Sequence, residues 1–466
     1  MGRGHVNASE SRFLGYVEGL ASVIGHADRV GPLHDYCLGL MAARGRKSVE
    51  PMAAHIAPHR TSAQHQSMLH FIGRAGWSDE EVLAKVREMV LPQIERHGPI
   101  EAWIVDDTGF PKKGEHSVGV SHQYCGQLGK QSNCQVAVTL SIANHHVSLP
   151  VAYQLYLPKA WADDRARRAK AGVPEEISFQ TKNEIALAHI RWACEAGLPR
   201  GNALFDAGFG HDSKFREGVS ELGLTYCAGI QPQTLVWNAG IKPGLASKKA
   251  RHNAVSVKKL ALGLPAKAWR TIKWREGTAE RLSSRFARVR VRAARRDFKL
   301  TEGRPPEWLL IEWPAGENEP TKYWLSTLPE EITFRRLVEL AKLRWRIERD
   351  YQELKQEVGL GHFEGRGWRG FHHHATLCIA AYGFLISERE TIPPSEPRST
   401  RVLPKPAISS GYQPRGSTAA ARTTRSEFDR DDAPTADRGS RQDATAMPML
   451  CRADRKTGAA EKFVTQ

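Results

Sequence analysis

Residues 341–367 read AKLRWRIERDYQELKQEVGLGHFEGRG. Apolar and aromatic residues recur in and just before this stretch at steps of three and four, which predicts one buried face of an amphipathic helix. These residues are Leu340, Leu343, Ile347, Tyr351, Leu354 and Val358. The glycine pair Gly359 and Gly361 predicts where the helix ends.

A second face of the same predicted helix carries charge. Arg344, Glu348 and Lys355 are spaced four and seven residues apart, so on a regular helix they share one side. Glu348 lies about 100° from Ile347, at the edge of the buried stripe. A carboxylate there can be half-buried between two cations and still face a groove. The alternative is an ordinary surface helix with charge pairs four residues apart.

The positive charge of the chain is concentrated in one block. The formal net charge is +16, and residues 242–299 hold 18 Lys and Arg against three acids. A block this basic favours a polyanionic partner over a role in solubility alone. A membrane surface is the competing polyanion, but the longest apolar run, residues 375–386, is far shorter than the roughly 20 residues of a spanning helix. We expect that run to be a buried core helix.

Cysteine and histidine usage argues against two kinds of site. The seven cysteines are odd in number and scattered without a CxxC pair, which disfavours a disulfide framework or a structural zinc site. Consecutive residues His372, His373 and His374 point about 100° apart on a helix, so they cannot converge on one metal ion. With no signal peptide visible, we expect a cytoplasmic protein.

The order of predicted elements divides the chain into five parts. Strand-like runs at 102–105, 133–144, 146–157 and 203–205 and a helix at 182–197 predict a mixed α/β core, with acids following the first and last of these strands, where open α/β sheets place their sites. The predicted parts are a helical N-terminal domain (1–98), which either binds DNA or serves packing or dimerisation; the first part of the core (99–234); a basic β-rich insertion (235–325); the second part of the core (326–390); and a disordered tail (391–466).

Arginines alternate with apolar residues in the insertion. Arg288, Arg290 and Arg292 lie on one face of a predicted strand at 285–292, and the residues between them lie on the other. A row of arginines with tryptophans spread through the same segment suits a surface along phosphates with stacking positions nearby. The alternative, a solubilising sheet face, would normally mix the signs of charge.

Three carboxylates are candidates for one site: Asp107, with Asp106 as the adjacent rival, Asp206 and Glu348. An Asp at a strand end is often only a turn former. Oxygen ligands without Cys or clustered His, however, suit Mg²⁺ or Mn²⁺. Two such ions about 4 Å apart can activate water or a 3′-hydroxyl and stabilise the leaving oxygen of an in-line phosphoryl transfer.

The chain resembles the DDE transposases of bacterial insertion sequences, which have a ribonuclease-H-like core, in the branch with a β-rich insertion. That family's third motif is Tyr, two residues, Arg, three residues, Glu, six residues, Lys. Here it falls on Ala341, Arg344, Glu348 and Lys355, with Ala341 in place of the tyrosine. The first motif lies in DDTG and gives Asp107 and Thr108, and the second lies in FDAGFG and gives Asp206. The resemblance covers roughly residues 100–390.

The resemblance implies cleavage at the ends of a mobile element with Mg²⁺ and joining of the freed 3′-hydroxyl to target DNA. Asp107, Asp206 and Glu348 would then be the metal ligands. The expected partners are double-stranded DNA, as terminal inverted repeats and target, and further copies of the chain in a dimer on the nucleoid. The alternatives are a ribonuclease-H-like nuclease that does not join ends and a DNA-binding regulator that has lost catalysis.

Several cations are implied as DNA contacts. Arg344 suits bidentate phosphate contact. A stacking role on a flipped base is a further hypothesis for Tyr323 or Trp324, against core packing as the alternative. The full set of predicted DNA-contacting side chains is Arg344, Lys355, Arg288, Arg290, Arg292, Lys112 and Lys113.

Overall fold

The computed structural model describes residues 8–43, 45–239, 254–276, 281–294 and 305–391. The predicted disordered tail, 391–466, lies outside these residues apart from Thr391. Part of the basic block at 242–299 also lies outside them.

Among the described residues before the first strand, the regular elements are helices. They are α1 (Ala8–Ala21), α2 (Val30–Ala42), α3 (Val49–Ile56), α4 (Thr61–Gly73) and α5 (Asp79–Glu95). The Ser78 hydroxyl accepts a hydrogen bond from the Glu81 N–H and caps α5. These helices share one hydrophobic core with the last described helix, α14 (Trp368–Thr391). The apolar run 375–386 lies in α14 and is almost entirely buried, which confirms a core helix. None of the helices that the structure describes is long and apolar enough to cross a lipid bilayer.

The central sheet has a ribonuclease-H-like core. Its strands are β1 (Ala102–Pro111), β2 (Ser121–Cys125), β3 (Lys130–Ala143), β4 (Ser148–Leu155), β5 (Asn202–Phe205) and β6 (Tyr226–Ile230). β3 runs antiparallel to β1 and β4, whereas β1, β5 and β6 run parallel. Helices α6 (Lys159–Ala162), α7 (Arg165–Ala171), α8 (Lys182–Glu195), α9 (Ala207–Gly210) and α10 (Ser213–Glu221) connect them. The mixed α/β class is confirmed.

The β-rich insertion extends the same sheet. Its elements are β7 (Leu235–Asn238), β8 (Val255–Ser256), α11 (Val257–Leu262), β9 (Arg270–Glu276), β10 (Arg281–Ala293), β11 (Glu307–Trp313) and β12 (Lys322–Ser326). β12 pairs antiparallel with β6, so the insertion strands continue from the edge of the core. Within the described residues, twelve strands join in one mixed sheet.

The helix predicted over the quoted stretch is divided into three pieces. α12 (Phe334–Leu343) ends before Arg344, α13 (Trp345–Gln352) follows it, and a π-helical turn, Glu353–Glu357, completes the segment. Leu354 and Val358 are still buried as the spacing predicts. A continuous, regular helix is therefore wrong, although the buried stripe is right.

Alternating side chains of β1 divide between two cores. Ala102 and Ile104 are fully buried in a cluster with α12 and α13, and Leu204 of β5 lies there too. Trp103 and Val105 are fully buried in the other cluster, which includes side chains of α5 and α8. Because successive residues of a strand point to opposite faces, the parity of a position decides which core it meets.

Candidate active site

Strand pairing places Asp106 and Asp206 side by side. In the parallel pair β1 and β5, Ile104 lies opposite Leu204 and Val105 lies opposite Phe205. Ile104 and Leu204 both face α12 and α13. The residues two positions further on, Asp106 and Asp206, therefore project from the same face. The two carboxylates also interact electrostatically, because the charge of Asp206 contributes to raising the pKa of Asp106.

Arg344 brings Glu348 into this group. It lies at the break between α12 and α13, and its Nη1 is 2.7 Å from Asp106 Oδ2 while its Nη2 is 3.3 Å from Glu348 Oε1. Burial lowers the pKa of Arg344, but Asp106, Asp206 and Glu348 together raise it by more. One half-buried guanidinium thus stands among three carboxylates.

Burial dominates the electrostatics of Asp106. It raises the pKa of this carboxyl to about 7, with Arg344 opposing the change and Asp206 and Asp107 adding to it. The Asp107 N–H donates to Asp106 Oδ1 at 2.8 Å. Neighbouring carboxylates in a partly dry site repel each other. A positive charge nearby reduces this repulsion, and Arg344 supplies it here.

Asp206 is oriented by the start of α9. Its Oδ1 accepts hydrogen bonds from the N–H groups of Gly208 at 2.9 Å and Phe209 at 3.2 Å, an N-cap arrangement. The glycine that ends the FDAGFG motif has a steric role, because a Cβ at Gly210 would lie 2.0 Å from the carbonyl oxygen of Gly229 on β6. Only glycine allows α9 to approach β6 this closely.

Asp107 points to the opposite face of the sheet. Its Oδ2 is 2.7 Å from the ammonium of Lys182, at the start of α8. The prediction of Asp107 as the first carboxylate does not fit this arrangement, whereas its rival Asp106 does. The physical reason is the alternation along β1, which carries odd-numbered side chains away from α13.

Lys355 is held against the end of β1. Its ammonium donates to the Gly109 carbonyl at 2.7 Å and to Gln127 Oε1 at 3.2 Å. Burial lowers the pKa of Lys355 to about 8. Arg344 and Glu348 contact each other as their spacing predicts, while Lys355, on the π-helical turn, makes its contacts at a different point of the sheet.

The predicted arginine row makes internal contacts. The Arg288 guanidinium lies 4.4 Å from the Trp308 ring centre and donates to the Ile332 carbonyl at 2.6 Å. Arg290 lies over the same ring at 4.9 Å and donates to the Pro306 carbonyl at 2.7 Å. Arg292 is half-buried. Part of the hydrogen-bonding capacity of Arg288 and Arg290 is therefore used inside the protein.

The remaining predicted contacts differ in exposure. The Lys112 ammonium donates to the Phe363 carbonyl at 2.7 Å, and burial lowers its pKa. Lys113 is exposed. Tyr323 is buried with its hydroxyl donating to the Pro320 carbonyl, an arrangement that favours core packing over base stacking for this side chain.

Sequence reasoning missed the residues that fasten α13. The buried Asp350 carboxylate accepts hydrogen bonds from the Ser148 hydroxyl at 2.7 Å and the Tyr382 hydroxyl at 2.9 Å. The Tyr351 hydroxyl is 2.6 Å from Thr139 Oγ1 on β3. A signal was present, because Asp350 follows Ile347 by three residues and so places a charged group on the buried stripe.

The donor set suits a divalent metal in its chemistry. Asp106, Asp206 and Glu348 offer oxygen atoms alone, which Mg²⁺ and Mn²⁺ prefer, and Asp206 keeps Oδ2 free of its helix-capping bonds. Among the described residues, no group of three or more His, Cys, Asp or Glu side chains lies close enough to hold an ion. In this conformation the cation that joins Asp106 to Glu348 is Arg344.

Comparisons with known proteins show the family of the chain. A sequence model of the family described as DDE superfamily endonuclease matches residues 19–281, more than half of the chain. The chain belongs to this family. The matched region of this DDE superfamily endonuclease includes Asp106 and Asp206 but ends before Glu348. The chain is also 25% identical over 299 residues to the probable transposase for insertion sequence element IS701 of Microchaete diplosiphon, a match that covers 64% of this chain and 68% of the relative.

Proposed function

We propose that the protein is a transposase that cleaves DNA at the ends of an insertion sequence and joins the freed 3′-hydroxyl to target DNA. The observation that carries the proposal is the meeting of Asp106 and Asp206, on neighbouring parallel strands, with Arg344 and Glu348 on the helical segment above them. Membership of the DDE superfamily endonucleases and the similarity to an insertion-sequence transposase support it.

The proposed catalytic carboxylates are Asp106, Asp206 and Glu348, which would hold Mg²⁺ or, as a substitute, Mn²⁺. Bound divalent ions supply activation of water or a 3′-hydroxyl and stabilisation of the leaving oxygen. Asp206 is kept in place by its N-cap bonds, and the two strands fix its distance from Asp106. Glu348 is the most exposed of the three, with 69% of its side chain accessible, so it can turn towards a bound substrate.

Double-stranded DNA is the proposed partner, with terminal repeats and target site engaged by a dimer of the chain. The formal charge of +16 supports it, because neutralising phosphates supplies most of the non-specific affinity of DNA-binding proteins. Exposed Lys113 is the best placed of the predicted phosphate contacts. Arg344, Lys355, Lys112 and the three arginines of β10 remain proposed contacts.

The test compares adjacent aspartates on a labelled duplex that carries the element's terminal repeat. Asp106→Asn, Asp206→Asn and Glu348→Gln should each reduce Mg²⁺-dependent cleavage and joining by at least a hundredfold while DNA binding persists. Asp107→Asn is the matched control and should retain most activity. Loss of activity in Asp107→Asn with retention in Asp106→Asn would refute the assignment. Cleavage without joining in the wild type would identify a nuclease, and binding without cleavage under any divalent ion would identify a regulator.

A further inference from the structure

A cavity with a basic lining lies beyond the end of β1. Its wall is built from Arg46, in the loop between α2 and α3, from the segment 111–117 that follows β1, and from the segment 361–366 that precedes α14. Its volume is about 480 Å³, within the range of small-ligand sites. The helical N-terminal part of the chain and the core therefore both contribute to this basic cavity.

Cations outnumber acids in the lining. Arg46, Lys112, Lys113 and Arg366 face a single carboxylate, that of Glu364, among the described residues that line the basic cavity. The cations are close enough to affect one another. Burial lowers the pKa of Lys112, Glu364 opposes this change and Arg46 adds to it. A bound anion would reduce the repulsion between these like charges.

Most of the donor capacity of these cations is available to a ligand. The Lys112 ammonium donates one of its three N–H groups to the Phe363 carbonyl at 2.7 Å. Lys113 and Arg366 are exposed and form no ion pair with any residue that the structure describes. Arg46 pairs with Glu364, so an anion in the basic cavity competes with this carboxylate for Arg46.

Hydrogen bonds hold the three parts of the wall together. The Lys47 N–H donates to His362 Nδ1 at 2.9 Å and ties the loop between α2 and α3 to the segment before α14. The Val118 N–H donates to the Arg366 carbonyl at 3.0 Å and ties that segment to the one after β1. Because the backbone that carries the cations is fixed before a ligand arrives, less ordering is needed on binding.

The basic cavity is within reach of DNA bound at the proposed catalytic carboxylates. Lys112 follows Asp106 by six residues, and β1 continues to Pro111. At about 3.3 Å per residue the two positions are at most about 20 Å apart. Successive nucleotides of a duplex strand are about 3.4 Å apart along its axis. A duplex with one phosphate at Asp106 therefore has others near the basic cavity within about six base pairs.

We propose that the basic cavity binds a phosphate group through Lys112, Lys113 and Arg366, with Glu364 as an internal competitor for Arg46. A tetrahedral anion with several acceptor oxygens suits convergent ammonium and guanidinium donors. The phosphate is supplied either by the backbone of bound DNA or by a free phosphate compound. Its source in DNA rests on the proposed function, whereas the phosphate site itself does not.

The first experiment measures the affinity of the full chain for a labelled duplex that carries the terminal repeat, in EDTA, so that cleavage cannot occur. Glu364→Gln removes the competing carboxylate and should strengthen binding about fivefold. Arg366→Gln removes a charge-assisted donor and should weaken binding about tenfold. Unchanged affinity in either variant would overturn the proposal. Since no divalent ion is present, this result is independent of the catalytic assignment.

Two controls make the same changes of charge outside the basic cavity. Glu88→Gln removes an acid that pairs with Lys85 on α5, and Arg200→Gln removes an exposed arginine just before β5. Each should change the affinity less than twofold, and all four variants should melt as the wild type does, because exposed charges contribute little to stability. An effect of Glu88→Gln equal to that of Glu364→Gln would overturn the proposal, since net charge alone would explain both.

Inorganic phosphate and a modified duplex identify the source of the phosphate. In calorimetry, inorganic phosphate should bind more tightly to Glu364→Gln, and more weakly to Arg366→Gln, than to the wild type. In a series of duplexes with one uncharged methylphosphonate linkage each, one position within about six base pairs of the cleaved bond should weaken binding and abolish the difference between wild type and Glu364→Gln. If no position does so while inorganic phosphate binds, the ligand is a free phosphate compound. Failure of both would overturn the proposal.

Discussion

His374 should make the stability of the protein fall steeply in mild acid. The residue is 1% exposed, and its two ring nitrogens are paired as a neutral imidazole requires. The Tyr36 hydroxyl lies 2.8 Å from Nδ1 and the Gly359 carbonyl lies 3.1 Å from Nε2. The carbonyl can only accept, so Nε2 carries the proton and Nδ1 accepts from Tyr36. A second proton, on Nδ1, would force the Tyr36 hydroxyl to change from donor to acceptor and would place a positive charge in a fully buried site.

The magnitude follows from the two pKa values. Burial lowers the pKa of His374 to about 4 in the folded protein, against about 6.5 in an unfolded chain. Between these values the unfolded chain binds a proton that the folded chain excludes, so stability is fully present above about pH 6.5 and decreases as the pH falls. From one histidine the expected loss between pH 7 and pH 5 is about 2 kcal/mol.

The assay is urea unfolding at pH 7 and pH 5, with the wild type compared with His374→Gln. Other buried histidines also contribute to the pH dependence, so the difference between variants is the quantity of interest. In His374→Gln the loss of unfolding free energy between the two pH values should shrink by about 2 kcal/mol. His122→Gln replaces an exposed histidine and should leave the loss unchanged. An identical pH dependence in wild type and His374→Gln would refute the reasoning.

Three further outcomes are expected. Gly210→Ala places a Cβ 2.0 Å from a carbonyl oxygen of β6 and should lower the unfolding free energy by about 1–3 kcal/mol. The control is Gly15→Ala, whose new Cβ has no atom within 4 Å, and it should not lower the unfolding free energy. Lys342→Met leaves the carboxylate of Glu312, now 2.6 Å from the ammonium and 3% exposed, buried without its cation; thermal unfolding should show a loss of about 3–5 kcal/mol, much of which the added Glu312→Gln change restores. Lys113→Gln should reduce the slope of log affinity for DNA against log salt by about 0.9, and an unchanged slope would remove Lys113 from the DNA contacts.

The sequence could not decide between Asp106 and Asp107, and the reason is physical. A strand with one wet face shows alternating polarity that reveals which positions point inwards. In β1, Trp103, Ile104 and Val105 are all fully buried, because helices cover both faces. The sequence therefore locates the acids at the end of a buried strand but carries no sign of which face each one takes.

Long-range pairing explains the other differences. The apolar spacing of residues 340–358 predicts the buried stripe and is equally compatible with a straight helix and with one broken at Arg344. The alternation of arginines along β10 can be read from its own sequence. The ring on which Arg288 and Arg290 stack, however, is Trp308 of β11, and only the pairing of β10 with β11 brings it there. The burial pattern within one element could be predicted from its sequence. Contacts with an element distant in the sequence could not.

The break at Arg344 has an electrostatic consequence. Burial and the charge of Asp206 raise the pKa of Asp106, whereas Arg344 lowers it, so a nearby cation favours the state in which Asp106 and Asp206 are both ionised. A side chain at the junction of α12 and α13 reaches Asp106 and Glu348 at once, and Arg344 supplies that charge without closing the exposed side of Glu348. A divalent ion that bound Asp106 would have to displace the Arg344 guanidinium from it. The strength of the ion pair between Arg344 and Asp106 would therefore lower the affinity of such an ion.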